Sequence, residues 1–232
     1  MRKIFKTISF PGFGLLLFLS VACQAQQQDA KTAYASMAPL DQYLMERNAE
    51  IALARTAATE SITLDADVMV LGKRGYETAV RGKNGFVCMV QRSWTAGFDD
   101  PEFWNPKLRA PICFNPPAAR SYLPLILKKT DLALAGRSKT QIVETIRAAV
   151  NNKELPDMEP GAIGHMLSKQ GYLSDRGGHW HPHLMFFSSQ TDPATWGADL
   201  PGSPITAFKD PLEHVTVFLV PVRQWSDGTA DL

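Results

Sequence analysis

The stretch Asp67–Trp94, DVMVLGKRGYETAVRGKNGFVCMVQRSW, decides the fold class. Three apolar runs, Val68 to Leu71, Tyr76 to Val80 and Phe86 to Gln91, are separated by Gly72-Lys73-Arg74-Gly75 and Gly82-Lys83-Asn84-Gly85. Runs this short, rich in β-branched and aromatic residues and punctuated by glycine turns, read as strands. Asn84-Gly85 tolerates the positive φ that a tight hairpin demands, so the expectation is an antiparallel β-meander. Apolar residues on both faces of Val68 to Leu71 place that strand under cover on both sides.

Outward from this stretch the period changes. Ala38 to Ala58 is rich in strong helix formers and carries an apolar stripe through Leu40, Leu44 and Ile51, with Pro39 suited to its first turn and Asp41 to the positive end of its dipole. Ser138 and Gln141 make a capping box, which predicts an amphipathic helix over residues 139 to 151. Pro160 to Gln170 reads as a shorter helix stopped by Gly171. His183 to Phe187 and Val215 to Val220 read as strands, joined by a loop containing Pro193, Pro201, Pro204 and Pro211. The expected class is α+β: residues 37–232 as a single globular domain, an antiparallel β-meander with additional C-terminal strands and three to four packed helices.

The chain has 232 residues, 24 Lys+Arg against 23 Asp+Glu, 45% apolar and 20% charged. These figures exclude a disordered chain, a collagen and a strongly basic nucleic-acid binder. Its start is unlike the rest. Arg2, Lys3 and Lys6 precede the apolar run Phe13 to Ala22, and no acid occurs before residue 26, so residues 1–25 have the pattern of a secretory signal peptide. A membrane-spanning helix needs about 20 apolar residues, and neither this run nor LPLILKK, interrupted by Lys128 and Lys129, is long enough. Two processing routes are open. Cleavage could follow Ala25, or Leu19-Ser20-Val21-Ala22-Cys23, which resembles a bacterial lipobox with Ser20 where a bulky aliphatic is expected, could lead to lipidation of Cys23. Residues 26–36 then suit a flexible tether. Taking the 3 leader cations from 24 leaves 21 against 23 acids, a net charge of −2, which removes nucleic acid as a partner and points to a periplasmic, secreted or membrane-anchored lipoprotein.

Cys88 and Cys113 are the other cysteines. Export puts them where a disulfide persists, and closing their loop would stabilise the fold by ~3 kcal/mol; the alternative is two separate buried thiols.

The chemistry concentrates in Gly177-Gly178-His179-Trp180-His181-Pro182-His183. On an extended chain, side chains at i and i+2 share a face about 7 Å apart, close enough for two imidazoles to meet one ion, whereas i and i+4 are about 13 Å apart. One His-X-His pair from His179, His181 and His183 is therefore the expected donor set for a transition metal, zinc or copper, with one or two further ligands from elsewhere. His214, His165 and Asp175 are the nearest such residues by sequence. His183 and His214 each begin a strand, so only a parallel pairing would bring them together. The competing reading has the histidines making polar contacts at a sheet edge.

His179-Trp180-His181 resembles the His-X-His of cupins, without the glutamate that follows it there. His214-Val215-Thr216-Val217 resembles the H-x-T-x element of two-histidine phosphoesterases, without the second copy. Neither family is assigned. The signatures of serine hydrolases, β-lactamases, zincins and P-loop proteins are absent.

A second candidate is the segment 94–120, where Trp94, Phe98, Phe103 and Trp104 mix with Asp99, Asp100, Glu102 and five prolines. Carboxylates among aromatic faces bind sugars or cations. Two functions follow: an exported protein whose His-X-His metal site supports metal-dependent chemistry, or a non-catalytic envelope module binding a small ligand or partner through Trp94, Asp99, Asp100, Glu102 and Trp104.

Overall fold

The structure, a computed structural model, describes residues 34–177 and 179–231. The leader, Cys23 and most of the tether lie outside the described residues. Within them five α-helices accompany an eight-stranded mixed sheet, mostly antiparallel, so the α+β class holds. No described helix is long and apolar enough to cross a membrane.

The strands are β1 (Asp67–Gly72), β2 (Gly75–Val80), β3 (Val87–Gln91), β4 (Ala110–Phe114), β5 (Ala162–Met166), β6 (His183–Ser189), β7 (Thr206–Asp210) and β8 (Val215–Pro221). Their order is β2-β1-β3-β4-β5-β6-β8-β7. Gly72 and Gly75 close the β1–β2 hairpin, with Gly75 at φ 123°. The expected meander stops there, because β3 pairs with β1 in parallel rather than with β2. Asn84-Gly85 does not form a hairpin turn. Asp65 accepts from the Lys83 and Asn84 amides, Asn84 Nδ2 donates to the Ile62 carbonyl, and Gly82 N donates to Asp67 Oδ1, so the connection is pinned across the leading end of β1. A Cβ at Gly82 would sit 2.1 Å from the Asp65 carbonyl oxygen, so only glycine permits this crossing.

β1 is covered on both sides, as its composition demands. The helix α1 (Arg47–Arg55) and the 57–58 segment pack Leu53, Ala54, Ala57 and Ala58 on Val68, Cys88, Val90 and Cys113. The opposite face meets α3 (Pro116–Ser121), α4 (Leu123–Leu134) and α5 (Lys139–Asn151) through residues such as Met89, Ile112, Phe114, Ile126 and Ile142. α5 spans the predicted 139–151, and both bonds of its capping box are made. α2 (Glu60–Thr63) is a single turn.

Three segments differ from expectation. The helix expected over 38–58 is confined to Arg47–Arg55, capped by Glu46. Pro39 leads only a short 3₁₀ turn that ends at Tyr43, whose buried side chain donates its hydroxyl to the Trp104 carbonyl and whose own carbonyl accepts from Arg92 instead of from a further helical turn. Residues 160–170 form β5, not a helix. Gly164 sits against Ile112 and Phe187 with no room for a Cβ, and Ala162, Gly164 and Met166 alternate inward with period two. The prolines of 94–120 conceal β4, buried along its whole length, and α3, N-capped by Asn115. β4 meets β5 only through Cys113 and Phe114, so Pro111 lies outside that ladder.

Cys88 and Cys113 face each other in the β3–β4 register and meet as a disulfide, both fully buried. Replacing both with alanine should lower unfolding free energy by about 3 kcal/mol, read from urea denaturation. Glu50→Ala, which strands the buried Arg92 guanidinium, should cost about 3–5 kcal/mol by the same measurement.

Candidate functional site

The chain before β6 is held by Pro182, whose carbonyl accepts from the Val222 amide at 2.8 Å just beyond β8. After β8 the chain turns back on itself. Gln224 and Ala230 form a bridge, Trp225 N donates to the Thr229 carbonyl, and Asp231 N donates to the Arg223 carbonyl at 2.9 Å. This hairpin carries Asp231 against the histidine segment.

There the Asp231 carboxylate bridges two imidazoles. Oδ1 accepts from His179 Nε2 and Oδ2 from His181 Nδ1, each at 2.6 Å. The two rings are 4.8 Å apart and nearly perpendicular. Both imidazoles are exposed, whereas the Asp231 side chain is only 10% exposed. The hydrogen bond from His181, reinforced by that from His179, holds the Asp231 carboxyl below its ordinary value. A carboxylate can only accept, so Nε2 of His179 and Nδ1 of His181 carry the ring protons in this arrangement. Shifting each proton to the other ring nitrogen frees both atoms as ligands. Two imidazole nitrogens and one carboxylate oxygen then lie within 4.8 Å of one another.

Aromatic side chains wall the site. Trp225 is 5.1 Å from Trp180 and 6.1 Å from His179, edge-on in both cases. Gly171 makes room for Trp180, because a Cβ there would stand 3.1 Å from its ring. With Lys169 these groups line a hollow of about 460 Å³.

The histidines divide as the spacing argument requires. His183 is turned away, donating Nδ1–H to the His181 carbonyl at 2.8 Å, and burial pushes its imidazole below its usual range. β6 and β8 are antiparallel, so His183 opposes Pro221 while His214 lies beyond Val215, opposite Ser189 at the far end. His214 is therefore not part of the cluster. His165 is on β5 against Phe86, and burial lowers its pKa. Asp175 serves elsewhere, accepting from the hydroxyls of Tyr34 and Tyr172 and from Lys107. Tyr34, placed by the sequence in the tether, is thus tied to the fold. The residues that sequence reasoning missed are Asp231 and Trp225. Asp227-Gly228, a strong turn dipeptide, was the available signal that the chain doubles back there.

The segment 94–120 turns most of its aromatic area into the core. Trp94 is fully buried with Nε1 donating to Thr130, and Trp104 and Phe103 are buried in edge contact at 4.7 Å. Glu102 is buried too, accepting from Asn105, Ser174 and the Asp175 amide. Asp100 accepts from the Glu102 amide, and Asp99 is left on the surface. The aromatic rings serve the core, which is the stronger use of their apolar area.

Comparison of the chain with protein-family models, with curated proteins and with solved structures finds no match.

The Tyr172 and Tyr34 hydroxyls hold Asp175 down to about 2. Because this folded-state value lies below the ordinary one, the contribution is intact above the ordinary carboxylate range and is lost as pH falls through about 2. Tyr172→Phe should move the Asp175 titration upward, read from carboxyl chemical shifts across an acid titration.

Proposed function

We propose that the protein is exported and binds one transition-metal ion, zinc or copper, through His179, His181 and Asp231. The observation that carries this reading is the convergence of two imidazole nitrogens and one carboxylate oxygen within 4.8 Å. Both ions accept this nitrogen and oxygen donor set. Three protein donors leave a coordination position for water or a ligand, and exposed imidazoles give the ion access. Bound there, the ion supplies Lewis acidity, and can lower the pKa of a coordinated water. The chain's own part is to orient the donors: the C-terminal hairpin fixes Asp231, Pro182 fixes the histidine strand, and Trp180 and Trp225 restrict the approach.

Export is supported by the leader, with Arg2, Lys3 and Lys6 before Phe13 to Ala22, and by a cysteine pair suited to an oxidising compartment. Lipid on Cys23 would keep the protein at a membrane, and cleavage after Ala25 would release it. The alternative, a module binding through the 94–120 aromatics, is the weaker reading, since Trp94 is fully buried and Trp104 nearly so.

Purified mature protein should retain about one equivalent of zinc or copper by elemental analysis, and metal at about 100 times Kd should add ~2.7 kcal/mol of stability. Asp231→Asn and His179→Gln should each weaken uptake by at least about tenfold. Binding should weaken on acidification, because protons compete for the ligand atoms. A protein that carries no metal, and whose Tm is unmoved by added zinc and copper, would sink this reading.

A further inference from the structure

A second hollow, of about 410 Å³, lies at the other end of β6 and β8 from the histidine cluster. The end of α5 and the loop that follows it, the end of β6 and the β7–β8 turn enclose it. Its volume is that of a small-molecule site. Leu125, Val150, Leu155 and Val215 supply apolar walls, and Glu213 supplies a carboxylate.

Glu213 is held in a way that leaves half of it unused. The buried Lys129 Nζ donates to Glu213 Oε1 at 2.7 Å and to the carbonyls of Thr95 and Ala96, and lies 4.4 Å from the centre of the Phe98 ring. Lys129 is thereby satisfied. Glu213 Oε2 has no hydrogen-bond partner among the described residues, although the side chain is only 7% exposed. Nor is Oε2 sealed inside the protein: among the described residues the sealed, unpartnered side-chain atoms are Glu50 Oε2, Arg55 Nε and Ser93 Oγ. The small opening left to Glu213 is therefore onto the cavity it lines. A carboxylate oxygen in so dry a place is costly unless something donates to it.

The surrounding charge says what that donor is. Of the charged residues that line the cavity, Glu213 and Asp157 are carboxylates and Lys153 is an ammonium, so its lining is net acidic. A metal ion does not fit, because among the described residues three metal donors converge only at His179, His181 and Asp231. Lys153, at φ 56°, is the left-handed residue that ends α5, its amide donating to the Val150 carbonyl and that of Glu154 to the Ala149 carbonyl, and His214, at φ 54°, also lines the cavity.

We propose that this cavity binds a small organic ammonium ion, its N–H donating to Glu213 Oε2 and its apolar body lying on Leu125, Val150, Leu155 and Val215. Burial, the largest influence, pushes the Glu213 carboxyl up and Lys129 draws it down, so a bound ammonium would act in the same direction as Lys129. The reading stands apart from the metal site and does not depend on it.

Phenethylamine and phenethyl alcohol, alike in shape and differing in charge, are suitable probes. Titrated into the nitrogen-15-labelled protein, the amine should give saturable shifts at residues 150–158 and 213–215, with the alcohol at least about tenfold weaker. The double variant Lys129→Met/Glu213→Leu replaces the ion pair with apolar side chains of similar volume, a change that buried pairs often tolerate. It should abolish the preference for the amine. Should that variant not fold, Leu155→Trp fills the cavity from its wall and should abolish the shifts altogether. Equal binding of amine and alcohol, shifts elsewhere or none, or shifts that survive Leu155→Trp, would each overturn the proposal.

Discussion

The Arg92 guanidinium, wholly removed from water, is the constraint around which the rest is arranged. Nε donates to the Tyr43 carbonyl, Nη1 to the Val90 carbonyl and Nη2 to Glu50 Oε1, which also accepts from the Leu71 amide. One side chain thus ties the turn before α1, α1 itself, β1 and β3. The planar five-donor fork of arginine suits this, and lysine could not reproduce it. Burial raises the Glu50 carboxyl while Arg92 pulls it down, so this ion pair acts chiefly to define which segments meet. The Tyr43 carbonyl is given to Arg92 instead of to a further helical turn, and the predicted helix is shortened.

A second buried pair, Lys129 with Glu213, joins α4 to the β7–β8 turn. Along its width the sheet changes character. β1, β3 and β4 are covered on both faces and carry the disulfide, whereas β7 is an outer strand whose Phe208 is exposed. Both candidate sites lie on the β6–β8 side, where loops and turns meet strand ends. Binding residues commonly sit on such loops over a rigid scaffold.

Legibility in the sequence followed the range of the interactions. Strands β1 to β3 and helix α5 were readable because turns, caps and periods are local; Ser138 and Gln141 specify their helix end alone. Residues 160–170 were misread because the deciding fact, the approach of Ile112 and Phe187 to Gly164, comes from strands distant in sequence. β3 was placed correctly as a strand but against the wrong neighbour, since Gly82 and Asn84 act through contacts with residues 62–67. At the site, the period-two argument limits a shared ion to one His-X-His pair and leaves open whether it is His179 with His181 or His181 with His183. Asp231 lies 50 residues from His181, and no local pattern links them.

The position of the disulfide has a consequence for its chemistry. Both cysteines show no exposed surface, and they sit between β3 and β4 under the alanine face of α1. A thiolate reductant must reach a sulfur atom in order to exchange with it. Here it can do so only when the strands part. The lifetime of this bond in a reducing medium is therefore governed by how often the centre of the sheet opens, and the pair acts as a clock for that opening rather than as a redox sensor.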